Sequence, residues 1–162
     1  MISNSRCKNL VIYIKNKCLY WLSNKSLILL GVASLIFLTG CSSQPTPIPL
    51  TGTDRDNVLV YSEPATDNIL SGLNNKDYPT FSSDFDDTML KSIDAAGFSN
   101  LYDQLMNQYG KYLSRTVVAV QSLQGYYRVV YQGNFVKNNN VILLVVYNPT
   151  GDHKIAGLFF TQ

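Results

Sequence analysis

Cysteine is scarce in this chain, and its three copies, Cys7, Cys18 and Cys41, all fall at the amino-terminal end. Everything after Cys41 therefore has no internal disulfide and no thiolate metal site, and must fold on its apolar core alone. Histidine occurs once, as His153 beside Asp152. A general base usually has a second group to orient it, so this lone imidazole reads as a surface-turn residue. No serine stands in a nucleophile elbow, and no glycine-rich phosphate loop is present. The apolar segment Leu27 to Gly40 has fourteen residues, short of the roughly 20 that a membrane-spanning helix needs. Acidic residues are missing altogether before Cys41, where Arg6, Lys8, Lys15, Lys17 and Lys25 supply all the charge.

That asymmetry matters for the rest. The whole chain has 13 basic and 11 acidic residues, so removing five basic ones leaves 13 − 5 = 8 against 11, a net charge of −3. No basic patch remains to hold nucleic acid. Basic residues, a short apolar core and small residues before a cysteine form the layout of a secretion signal. The run Leu38-Thr39-Gly40-Cys41 resembles the lipobox of bacterial lipoproteins. That resemblance implies cleavage after Gly40 and a diacylglyceryl group on the Cys41 thiol, with or without a further acyl chain on the new amino terminus. One acyl chain anchors weakly, whereas two or three make a lasting attachment. The alternative is an uncleaved signal anchor, since Leu10 to Leu22 is also apolar, although Lys15, Lys17 and Lys25 interrupt any single span. Three segments result: a signal over 1–40, a Ser/Pro/Thr-rich tether over 41–53 and one folded domain over 54–162.

Within the domain, helical spacing comes first. Val58, Tyr61, Ala65, Ile69 and Leu73 recur three and four apart. Pro64, with Ser62 as its N-cap, starts a new helix or kinks the first. Asn74 to Asp77 forms a stop. Tyr78, Phe81, Phe85, Met89 and Ile93 predict a second helix broken by Gly97. Leu101, Leu105 and Tyr109 predict a third, closed by Gly110. Strand patterns follow: Thr116 to Val120, a turn at Gln124-Gly125, and Tyr127 to Phe135 with one wet face. After a loop at 137–140, Val141 to Tyr147 reads as a central strand covered on both faces. A turn at 148–152 and a last strand from Lys154 to Phe160 complete the order. Helices followed by a meander predict an α+β fold, with helices on one face of a curved antiparallel four-stranded sheet.

Several short stretches carry a family resemblance: Asn75 to Tyr78, Leu101 to Gly110, and the ending Lys154-Ile155-Ala156-Gly157-Leu158-Phe159. From about Ala65 to Phe160 the chain resembles a domain of unknown function similar to the nuclear transport factor 2-like (cystatin-like) superfamily. That domain occurs in lipoproteins and is sometimes fused to α/β-hydrolases. Members often carry glycine before the lysine of the last strand. Here His153 takes that place, and histidine is among the residues that tolerate a left-handed backbone. The resemblance brings no catalytic set, metal or cofactor.

Residue chemistry points the same way. Asp84, Asp86 and Asp87 lack the glycine and terminal glutamate of a calcium loop and read as a solvated face or an N-cap. Tyr126, Tyr127, Tyr131 and Tyr147 fall on strands. Of these, Tyr127, Tyr131 and Tyr147 either fill the core or line a sheet cavity for a small apolar or aromatic ligand. The expected role is non-catalytic binding of a small ligand or an envelope protein at the membrane, to which Cys41 ties the domain. The rivals are an isomerase- or hydratase-type enzyme, as the superfamily implies, with Asp94 or Asp103 as acid or base, and an accessory module for a separate envelope hydrolase.

Overall fold

A computed structural model describes residues 45–162. The lipobox-like Leu38 to Cys41 lies outside them. The elements run β1 (Ile48–Pro49), α1 (Gly52–Asn75), α2 (Tyr78–Ser82), α3 (Asp87–Ser92), α4 (Ala95–Gln108), β2 (Tyr112–Leu123), β3 (Tyr126–Phe135), β4 (Asn138–Tyr147) and β5 (Ile155–Thr161). The class is α+β, with the helices preceding an open antiparallel sheet in the order β1-β2-β3-β4-β5.

The expected four strands are joined by a fifth. Ile48 and Pro49, read from sequence as tether, pair with Ser122 and Gln121, and the Leu50 N–H donates to the Val120 carbonyl at 2.8 Å. Proline has no N–H to give a ladder but is tolerated at a sheet edge. A two-residue strand beside proline leaves no alternation to detect.

α1 is one helix of 24 residues that runs through Pro64. Proline removes the hydrogen bond to the carbonyl four residues back. That carbonyl belongs to Val60, whose residue is 77 % exposed, so water can satisfy it. Ser62 is not an N-cap: it is buried inside α1, whose N-cap is Thr51. The expected second helix is two short ones. Between them Phe85 forms a bridge with Ile155, and Asp86 accepts the Met89 N–H at 2.8 Å to start α3. Gly97 does not end a helix; it lies in the first turn of α4, where its N–H donates to Asp94 Oδ1 at 2.7 Å. Gly110, at φ +76°, follows α4 as expected.

The helices cover one sheet face. Val58, Ile69, Leu70 and Leu73 of α1, Phe81, Met89 and Leu105 meet Val129, Tyr131, Leu143, Val145, Leu158 and Phe160 in one core. β4 is not covered on both faces. Val141, Leu143, Val145 and Tyr147 are buried, while Ile142, Leu144 and Val146 are half-buried on the far side. There Leu144 has Val130 and Phe159 as its strand partners. The loop expected at 137–140 shrinks to Val136-Lys137, because Asn138 to Asn140 already belong to β4. No described helix is long and apolar enough to cross a membrane.

Candidate functional site

The three candidate tyrosines separate into two environments. Tyr131 and Tyr147 stand on inward positions of β3 and β4, are fully buried, and reach α1. The Tyr147 hydroxyl lies 2.7 Å from Thr66 Oγ1 and donates to the Ser62 carbonyl at 3.0 Å. Tyr131 lies 3.1 Å from Thr66 Oγ1. Burial pushes the Tyr131 hydroxyl up to about 12 and the Tyr147 hydroxyl higher still, so both stay neutral and serve as polar pins inside the core.

Beside them Arg115 of β2 spans the sheet edge to α1. Its side chain is 7 % exposed. It donates to Glu63 Oε2 at 2.9 Å, to the Glu63 carbonyl at 3.1 Å and to Asp67. Its guanidinium lies 5.1 Å from the Tyr131 ring centroid. Burial alone pushes its pKa down, but the hydrogen bonds it donates to Asp67 and Tyr112 and the charges of Glu63 and Asp67 outweigh that. Glu63 Oε1 and Arg115 Nε are buried without a hydrogen-bond partner among the described residues.

Tyr127 lies elsewhere, in a groove of about 430 Å³ between α1 and the β4–β5 turn. Tyr61 of α1 and His153 form its aromatic wall, stacked with ring centroids 4.1 Å apart and planes 11° apart. Tyr61 also meets Tyr147 edge-on at 5.7 Å. His153 reaches this position with φ +48°, the left-handed conformation its residue type tolerates. Its Nδ1 lies 3.1 Å from the Asn148 carbonyl. A carbonyl only accepts, so the proton sits on Nδ1. The Tyr61 hydroxyl is buried without a hydrogen-bond partner among the described residues, and burial, then the neighbouring Tyr127, raise its pKa to about 12. Leu50, Asp54, Asn57 and Ser122 contribute to the remaining lining.

No family model, curated protein or solved structure matches this chain. The site is therefore read from its own chemistry.

A second groove of about 570 Å³ lies on the other side of the same turn, with Asp86, Asp87, Asp152 and Lys154 among its lining. Its acids are partly engaged. Asp86 caps α3 through Oδ1 and accepts from Asn148 Nδ2 at 3.2 Å through Oδ2. Asp84, outside that lining, accepts from Asn68 at 2.8 Å and sits 3.9 Å from Lys154. Among the described residues no group of three His, Cys, Asp or Glu side chains is placed to hold a metal ion. Asp94 caps α4, and Asp103 pairs with Lys76 at 3.5 Å on the surface; neither lines either of these two grooves. Tyr126 is exposed at the start of β3. Sequence reasoning placed Tyr61 in a helical stripe but missed its partnership with His153. No spacing pattern links two positions joined only by the return of the sheet to α1.

Proposed function

We propose that this is a lipid-anchored extracytoplasmic protein with a nuclear transport factor 2-like domain, and that the domain binds a small ligand in the Tyr61–Tyr127–His153 groove. Cys41 in its lipobox-like run ties the domain to the membrane, and the cysteine-free remainder folds outside the cell. The order of helices before an antiparallel meander supports the fold assignment; the fifth strand is a short addition from the tether.

The observation that carries the binding reading is the stacked Tyr61–His153 wall, held by a residue in a left-handed conformation at the rim of a groove. The volume falls within the roughly 300–1,000 Å³ of small-molecule sites. The acids weighed for catalysis are surface groups. Glu63 comes nearest to a carboxylate buried beside tyrosines, but Arg115 engages it.

The test is native mass spectrometry and thermal unfolding of the full-length protein, extracted in nonionic detergent and exposed to a small-molecule extract of the envelope. A bound mass and a raised Tm are expected, both lost in Tyr127→Ala. Neither a bound mass nor a Tm shift with the unaltered protein would overturn the reading.

A further inference from the structure

The charge of the groove narrows its ligand. Asp54 lies in the first turn of α1 and is exposed at the groove. Asn57 and Tyr61 follow three and seven residues later, on the same helical face. Asp54 forms no ion pair among the described residues; the neighbouring Arg55 pairs with Asp56 instead, at 3.1 Å. Among the described residues no lysine or arginine lines the groove. An anion would meet one carboxylate and no fixed cation. A purely apolar ligand would set itself against Asp54, Asn57 and Ser122. A cation with apolar substituents satisfies both sides: its charge faces Asp54 and its methyl or methylene groups lie on aromatic rings, whose faces carry partial negative charge.

We infer that the groove formed by Asp54, Tyr61, Tyr127 and His153 takes an organic ammonium ion, of the alkylated or quaternary kind. This rests on the ligand-binding reading above and specifies its chemistry. Two sources supply such an ion: a free solute or a lipid headgroup. Leu50 lines the groove and follows Cys41 by nine residues. Fully extended, that stretch spans at most about 30 Å, so an acylated Cys41 would keep the groove near the headgroup layer.

The test uses the full-length protein in nonionic detergent micelles, titrated calorimetrically with choline chloride, with its neutral isostere 3,3-dimethylbutan-1-ol, and with sodium benzoate. Choline is expected to bind about tenfold more tightly than the isostere, the size of a partly desolvated cation–π contact. Benzoate is expected not to bind. Asp54→Asn should weaken choline about two- to fivefold, as for an exposed ion pair, with an unchanged circular dichroism spectrum. The isostere should be insensitive to that substitution. Dihexanoyl phosphatidylcholine below its micelle concentration distinguishes the sources. Binding tighter than choline assigns the headgroup, and equal or weaker binding assigns the free solute. If the isostere or benzoate binds as tightly as choline, or Asp54→Asn changes nothing, the cation assignment falls while the groove remains a binding site. If no probe binds and the envelope extract also gives no adduct, both readings fall.

Discussion

Gly72 sits inside α1, where alanine is ordinarily the better helix former by about 1 kcal/mol. A Cβ there would lie 2.4 Å from the Phe81 backbone nitrogen and 2.6 Å from its Cα. The contact is with backbone, which has no rotamer to change. Sterics outweigh propensity, and Gly72→Ala should destabilise the protein by about 1–3 kcal/mol, the range for overpacking, read as a lowered denaturant midpoint. An unchanged or raised midpoint would contradict the close α1–α2 contact. The buried tyrosines give a pH dependence. Unfolded, they ionise near pH 10; folded, Tyr131 ionises near 12 and Tyr147 higher. Above pH 10 the unfolded chain has lost protons that the folded one keeps. Their contribution is thus complete below about pH 10 and falls as pH rises toward 12. Tm should drop over that window, and Tyr131→Phe should make the drop shallower; an equal slope in the variant would contradict the assignment. Some of this was legible in sequence. His153 in a left-handed turn follows from its residue type and place. Ser62 did not, because serine before proline carries a cap signal, and only the return of β4 shows its carbonyl serving Tyr147.

Helix ends explain most differences between the expected and observed elements. Tyr78 to Ile93 keeps its apolar spacing across two short helices, because Phe85 and Asp86 leave the helix to meet Ile155. Asp77, Asp86 and Asp94 each accept a backbone N–H at a helix start. The aspartates weighed for metal or catalysis thus include helix caps, as the N-cap reading of the acidic group expected. The far end of α4 is closed by the β3–β4 turn. The Lys137 backbone N–H donates to the Tyr109 carbonyl at 2.8 Å, and its ammonium reaches the Met106 and Asn107 carbonyls at 3.0 Å. A cation on the last carbonyls of a helix contributes about 0.3–1 kcal/mol. Lys137→Met keeps the stem and removes the charge, so it should lower stability by that amount in urea unfolding. The loss should shrink at high salt. A neutral substitution, or a loss independent of salt, would show that the turn docks without the ammonium. Sequence could not show this, since Met106 and Lys137 meet only after β2 and β3 have formed.

At the scale of the molecule, the helices-then-meander order was readable from periodicity, because each long element carries its own pattern over ten or more residues. The fifth strand and the groove were not. The strand forms where the chain entering the domain pairs with β2 at Gln121 and Ser122, and the groove where Leu50 shares a lining with Pro149 and His153 from the other end. The aromatic wall therefore depends on closure of the whole fold, and it sits beside the segment that leads back to Cys41. The account rests on acyl chains at Cys41, and the intact mass of the protein taken from membranes tests it most directly. A chain beginning at Cys41 with a diacylglyceryl group, with or without one further acyl chain, is expected. A mass corresponding to a chain beginning at Met1 with an unmodified Cys41 thiol would contradict it.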